Sequence, residues 1–297
     1  MHTTPYQTPL PSVLVIAGFD PSGGAGFLAD TKTIHANGGY ACSIMTAITV
    51  QNTQGVQAVE AIESKLFAAQ LQALSEDIQF DAIKIGMLAS LEQVKILSEF
   101  LQQTPKTPVV LDPVLVSSSG RALLPENALN SLIEDLIPQA TLLTPNQPEA
   151  KLLLQKIHRP VKKNLLNDAT VFQKALQGLK CKNILLKGGH PDITPDKSSG
   201  ATDWLFSWEA NQPIQETFSS PWLEVIHNHG TGCTLASAIA TQLAKGENLA
   251  TAVALGKNYL TQALQAADQH QPNYHSLPAG KVRHGSLCHN FTQHKHK

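Results

Sequence analysis

Short apolar runs rich in β-branched residues alternate with longer amphipathic stretches along nearly the whole chain. Ser12-Val-Leu-Val-Ile-Ala17 is a continuous apolar run closed by Gly18 and predicts a first strand buried on both faces. Gly23 to Asn37 has helical spacing and stops at Gly38-Gly39. Ile44–Val50 and Val56–Ile62 predict strands separated by a polar turn. Ser64 is placed to cap a helix presenting Phe67, Leu71, Leu74 and Ile78 on one face. Further short strands are predicted at Ala82–Ile85, Val109–Leu111, Leu142–Leu143 and Asn183–Leu186. Helices are predicted between them near Leu91–Leu101, Glu126–Leu136 and Asp168–Leu179. This order implies βαβ units, hence an α/β fold with a mainly parallel central sheet covered by helices on both faces. The stretch Pro191–Pro221 breaks the rhythm, and Asp203–Trp208 within it predicts an antiparallel hairpin strand. Helices return over Thr234–Lys245 and from Asn248 onward, the second carrying Leu249, Val253, Leu260 and Leu264. No repeat or long linker divides the chain, so one domain is expected over residues 12–268, with extensions at 1–11 and 269–297.

Composition narrows the function classes. Of 297 residues 42% are hydrophobic, enough for a substantial core. Twenty-two Lys and Arg against 23 Asp and Glu leave a net charge of −1, which argues against a dedicated nucleic-acid binder. No apolar run is long enough to cross a bilayer. Residues 1–11 have neither a basic segment nor an apolar one, so a cytoplasmic protein is expected. Four cysteines, Cys42, Cys181, Cys233 and Cys288, form no CxxC pair, so neither a disulfide framework nor a zinc site is expected. Six histidines in the last 29 residues match no metal-binding spacing, and a solvated or loosely packed tail is expected there.

Ligands of open α/β sheets bind beyond the carboxyl ends of the strands, and four strand-end segments carry polar chemistry. Gly18-Phe-Asp20-Pro-Ser-Gly-Gly-Ala-Gly26 follows the first strand. Its glycines suit either a tight turn or close approach of backbone to a ligand, and Asp20 suits a polar hydroxyl or amine. Asp112 follows Val109–Leu111. Thr144-Pro-Asn146-Gln-Pro-Glu149 opens a helix, where Asn146 and Glu149 are equally readable as a cap and a first-turn acid. Taken with Asp112 they are hard oxygen donors suited to Mg²⁺ held with phosphates. Lys187 ends another strand and suits pairing with nucleotide phosphates. His229-Gly-Thr-Gly-Cys233 runs into a helix, so its amides can form a cup for a phosphoryl group. A helix N-terminus is expected to lower the Cys233 thiol pKa, making that residue a candidate acid/base. The other three cysteines are expected to be core or surface residues. His190 and His229 are read as turn-stabilising residues and not as catalysts.

Seven blocks occur in order: Ile16–Gly26, Thr46–Thr53, Lys84–Leu88, Leu111–Val114, Thr144–Asn146, Lys187–His190 and His229–Thr234. Together they resemble the hydroxymethylpyrimidine/phosphomethylpyrimidine kinases of thiamine biosynthesis, members of the ribokinase-like fold without a separate lid domain. The resemblance covers about Val13 to Leu264. It implies transfer of the γ-phosphoryl of ATP to 4-amino-5-hydroxymethyl-2-methylpyrimidine and then to its monophosphate, with Mg²⁺, in a homodimer. It further implies that Gln51 binds the aminopyrimidine edge and Asp20 a polar substrate group. On the same resemblance, Met87 and Val114 would sandwich the ring beside Gly18. Gly230, Thr231, Gly232 and Cys233 would hold the phosphoryl group, with Cys233 as base. Lys187, Asn146 and Thr231 would bind the nucleotide, and Asp112 and Glu149 the metal. Leu28 stands where relatives often have Gln. Ser118-Ser119-Gly120-Arg121 replaces a commoner Lys-Ser-Gly-Asp, with Arg121 placed to supply the missing lysine charge. Three other readings bear on the same residues. A pyridoxal or pyridoxine kinase would share the scaffold and the cysteine. An oxidoreductase fails on the glycine spacing and lacks the acidic residue expected about 20 positions on. A non-catalytic binding module sits poorly with the intact Asn146, Glu149, Lys187 and Gly230–Gly232.

Overall fold

The computed structural model describes residues 9–116, 120, 122–158, 169–188, 200–209, 212–277 and 282–291. Its nine strands are β1 (Ser12–Phe19), β2 (Tyr40–Asn52), β3 (Gly55–Ala61), β4 (Ala82–Ile85), β5 (Val109–Leu111), β6 (Leu142–Leu143), β7 (Asn183–Leu186), β8 (Ala201–Glu209) and β9 (Gln212–Ser220). They form one sheet in the order β3-β2-β1-β4-β5-β6-β7-β8-β9. The six central strands β2, β1, β4, β5, β6 and β7 run parallel, while β3 and β8 pair antiparallel at the two ends and β9 pairs antiparallel with β8.

The sheet is buried on both faces because the side chains of each central strand alternate between two cores. Leu14, Ile16, Ile83, Ile85 and Leu111 face one side. There they meet α2 (Ser64–Asp77), α3 (Leu91–Gln103), α4 (Glu126–Ser131), α5 (Gln147–Lys156) and α6 (Ala169–Leu176). Val13, Val15, Ala17 and Val110 face the other, against α1 (Gly26–Ala36), α7 (Thr231–Ala244) and α8 (Leu249–Gln265). This is the α/β arrangement expected from the alternation of apolar runs.

Local details differ from expectation. β2 is 13 residues long, because its second half pairs with β3 and continues past its last partner on β1. Ser64 does not cap α2: Glu63 holds the N-cap position and makes no side-chain cap bond. The segment expected as one helix over Glu126–Leu136 leaves α-helical geometry after Ser131, with a π turn over Leu132–Leu136 and a 3-10 turn over Ile137–Gln139, where Pro138 cannot donate to a helix ladder. α7 starts at Thr231, three residues earlier than its apolar spacing indicates, so Thr231, Gly232 and Cys233 form its first turn.

The tail is the main correction. Leu287, Cys288 and Phe291 are buried with Ala238 of α7 and Tyr259 and Ala263 of α8. His289 is also buried, its Nδ1 3.1 Å from the Tyr259 hydroxyl and 3.3 Å from Thr33 Oγ1. Residues 284–286 reach the strand-end face. The His284 amide donates to Thr53 O at 2.8 Å, and the His229 amide donates to Gly285 O at 3.1 Å. Interspersed apolar residues and the one buried histidine, His289, anchor this segment. His294 and His296 lie outside the described residues.

Candidate active site

The carboxyl ends of β1, β4, β5, β6 and β7 and the start of α7 converge on one edge of the sheet. Asp112 leaves β5, Lys187 leaves β7, and their side chains pair at 2.7 Å (Nζ to Oδ1). Thr144 Oγ1, beyond β6, donates to the same Asp112 oxygen at 3.1 Å. A side-chain carbon at Gly232 would sit 3.2 Å from both Asp112 Oδ2 and Lys187 Nζ, so the first turn of α7 lies directly against this pair. Asn146 and Glu149 form a reciprocal capping box at the start of α5. Asn146 Oδ1 accepts from the Glu149 amide at 2.9 Å, and Glu149 Oε2 accepts from the Asn146 amide at 2.8 Å. Burial pushes the Glu149 carboxyl up to about 7, with the Lys187 ammonium opposing and the Asp112 charge adding to the rise. Two neighbouring carboxylates that repel each other make a hard, anionic donor set, which fits a hard divalent cation. Among the described residues no group of three or more His, Cys, Asp or Glu is arranged around a common metal position.

Gly230 opens α7 at φ 86°, and no side chain caps the turn. A Cβ there would lie 1.9 Å from Gly24 O, so the loop after β1 and the start of α7 are packed backbone to backbone. That packing accounts for Gly230 and also for Gly24, whose own Cβ would strike the His229 ring at 2.5 Å. The thiol of Cys233 departs from expectation. Burial, with the charges of Asp30 and Asp112 adding, raises it to about 11 against the lowering effect of Lys84 and of a Gly26 backbone bond. Desolvation therefore outweighs the Lys84 charge and the Gly26 backbone bond. The opposing group, Lys84 on β4, is wholly buried and pairs with Asp30 of α1 at 2.8 Å, while Ser237 of α7 donates to the other Asp30 oxygen at 2.7 Å. Burial disfavours its charged form, but the Asp30 charge holds Lys84 as the ammonium.

On the β1–β2 side, Met87, Ala47 and Leu123 form a small apolar floor against which Val114 packs. Gly18 leaves room for it, since a Cβ there would approach Met87 Sδ to 3.0 Å. Asp20 turns its carboxylate inward. Oδ1 accepts from the Ser22 amide and hydroxyl at 2.9 and 2.8 Å, and Oδ2 from the Ala25 amide and His229 Nε2 at 2.9 and 2.8 Å. Burial opposes ionisation, but the His229 and Ser22 bonds prevail and hold the Asp20 carboxyl below its usual value. The anion bound by the glycine-rich loop is thus the chain's own. Gln51 lies 3.1 Å from the same His229 nitrogen and 3.1 Å from Thr49 Oγ1. A cavity of about 370 Å³ opens beside it, lined by Pro21, Ser22, Gln51, Asn52 and Thr53 and, from the tail, Pro272, Tyr274 and Ser286.

The structure therefore assembles two halves: Asp112, Lys187, Glu149 and Gly232 on one side, and Asp20, Gln51, Met87 and Val114 on the other, with Gly230–Cys233 between the strand ends. Sequence reasoning set His229 aside and did not single out Lys84 or Asp30. A lysine inside the apolar run Ala82–Ile85 was the available signal for Lys84; nothing local marks its partner 54 positions away. Ser118, Ser119, Arg121 and His190 lie outside the described residues.

A mainly parallel α/β sheet with an uncapped helix start, a lysine–aspartate pair and an open pocket beside Gln51 at one edge is the framework of a small-molecule phosphotransferase. A family profile described as phosphomethylpyrimidine kinase matches residues 20–279. The hydroxymethylpyrimidine/phosphomethylpyrimidine kinase of Escherichia coli is 42% identical over 257 residues, covering 86% of this chain and 92% of the relative. The crystal structure of phosphomethylpyrimidine kinase from Clostridium difficile superposes with a TM-score of 0.69 at 40% identity, covering 85% of this chain and 98% of that one. Pyridoxal kinase from Staphylococcus aureus, in complex with AMP-PCP and pyridoxal, superposes with a TM-score of 0.76 at 27% identity, covering 97% and 96%. The chain belongs to the phosphomethylpyrimidine kinase family and is a kinase.

Proposed function

We propose that the chain phosphorylates the hydroxymethyl group of 4-amino-5-hydroxymethyl-2-methylpyrimidine with ATP, and then its monophosphate to the diphosphate. The observation that carries this reading is the placement of the Gly230–Cys233 turn. It lies against Asp112 and Lys187 on one side and, through His229, against the Gln51 pocket on the other. Gln51 reads the aminopyrimidine edge, and Met87 and Val114 hold the ring. The amides of Thr231, Gly232 and Cys233 receive the phosphoryl group in transit, and Lys187 moves from Asp112 to the phosphates. Mg²⁺ bound with the nucleotide would be held by Asp112 and Glu149 and would neutralise phosphate charge. Cys233 takes the hydroxyl proton in its thiolate form, the thiol having first released its own proton to water. Its thiol is protonated in the free chain, and the buried Lys84 ammonium favours the thiolate. Phosphoryl transfer asks little of a base early in the reaction, so positioning carries most of the rate. The enzyme works in the cytoplasm as a homodimer.

The pyridoxal kinases superpose well but are less identical in sequence, and Gln51 favours the aminopyrimidine. ADP release with Mg-ATP and the pyrimidine, its monophosphate or pyridoxal tests the reading. Turnover of both pyrimidines is expected, and turnover of pyridoxal alone would overturn it.

A further inference from the structure

His229 Nε2 contacts two groups that make opposite demands on it. The Asp20 carboxylate, already receiving Ser22 N–H, Ser22 O–H and Ala25 N–H, can only accept, so Nε2 must carry the proton and donate across their 2.8 Å contact. The Gln51 carboxamide lies 3.1 Å from the same Nε2, with its nitrogen nearest. Two N–H donors cannot face each other. Oxygen and nitrogen of a carboxamide are interchangeable in shape, so the hydrogen-bond partners decide which is which. Thr49 decides the same way: its hydroxyl donates to Phe19 O at 2.9 Å, leaving it an acceptor toward the other end of the Gln51 amide at 3.1 Å. Both neighbours therefore require Gln51 Oε1 toward His229 and Gln51 Nε2 toward Thr49.

We infer that Asp20, His229 and Thr49 form a positioning relay that fixes the sense of the Gln51 carboxamide and thereby decides which way round the substrate ring lies. This rests on Gln51 reading the aminopyrimidine. With one oxygen lone pair and one amide hydrogen engaged by the protein, Gln51 still offers one donor and one acceptor side by side. A 4-aminopyrimidine answers with ring N3 as acceptor and its 4-amino group as donor. The hydroxymethyl at C5 adjoins the amino group, so the sense of the pair determines where it points. A reversed amide would pair with a reversed ring and direct the hydroxymethyl away from its productive side. A pyridoxal ring has no amino group beside its ring nitrogen and gains nothing from the fixed sense. Asp20 thus acts on the substrate through His229 and not by direct contact.

The test compares kcat/KM for 4-amino-5-hydroxymethyl-2-methylpyrimidine with that for 5-hydroxymethyl-2-methylpyrimidine, which lacks the amino group. Wild type, His229→Phe, Thr49→Val and Gln51→Ala are measured. Wild type is expected to prefer the amino compound, and both relay variants to lose about tenfold of that preference, the scale of one mismatched buried hydrogen bond. General disturbance of the Gly230 turn lowers turnover of both compounds alike and leaves their ratio unchanged. Should Gln51→Ala collapse the ratio while His229→Phe and Thr49→Val preserve it, the relay is wrong and the Gln51 reading stands. An unchanged ratio in Gln51→Ala overturns the reading of Gln51 and the relay with it.

Discussion

Acid should loosen the chain through one residue of its C-terminal segment. Burial, with the Lys32 charge adding, lowers the His289 imidazole pKa to about 4. The ring packs beside Tyr259, its centroid 6.4 Å from the phenol ring, and its Nε2 is buried without a hydrogen-bond partner. The unfolded chain protonates this side chain near pH 6.5 and the folded chain only near 4, so between those values the unfolded state binds the extra proton. Stability is therefore fully present above about pH 6.5 and is lost as pH falls toward 4. The contribution amounts to about 2 kcal/mol by pH 5 and about 3 kcal/mol once both states are protonated. In a chain of 297 residues the first figure corresponds to roughly 3 °C in Tm. Other groups also titrate over this range, so the difference between wild type and His289→Gln is the quantity to measure, by urea denaturation at pH 7.5, 6, 5 and 4.5. The wild type should lose about 2 kcal/mol more than the variant between pH 7.5 and 5. Parallel decline of the two would refute the reasoning. Because residues 284–286 bond to Thr53 and His229, KM for the pyrimidine should rise over the same interval in wild type.

Three further outcomes are expected. Gly230→Ala places a Cβ at 1.9 Å from Gly24 O at a φ of 86°, so the start of α7 must shift; kcat should fall by about 100-fold or more, with Tm also lowered. Cys233→Ala should lower kcat by about 10²–10⁴-fold. In the free wild type a thiol at about 11 should react with iodoacetamide roughly 300-fold more slowly at pH 7.5 than free cysteine and accelerate up to about pH 10; fast labelling at neutral pH would contradict the desolvated environment. Lys84→Met leaves Asp30 buried without its cation and should cost about 3–5 kcal/mol in chemical denaturation. Adding Asp30→Asn should recover part of that loss, and no recovery would show that the ion pair is not the cause.

Much of this protein was legible in its sequence because much of it is local. Strands covered on both faces require continuous apolar runs, so β1, β4, β5 and β7 stand out, and polar residues directly after them fall at the strand ends where ligands bind. The ordered motifs carried the family as well. Other features were hidden because they depend on distant partners. His229 reads as a turn residue until β1 and β2 bring Asp20 and Gln51 to it. Lys84 looks misplaced until Asp30 is seen 54 positions earlier. Cys233 sits where a helix dipole should lower its pKa, yet the low dielectric around it and the nearby carboxylates decide otherwise. The tail reads as solvated because its histidines dominate the composition, while three apolar residues among them find a groove between α7 and α8. Periodicity and short-range chemistry determined the elements and where a site would form. Only the folded chain decided which charges meet, which groups lose their water and therefore which protons are held, because desolvation and ion pairing depend on neighbours far apart in sequence.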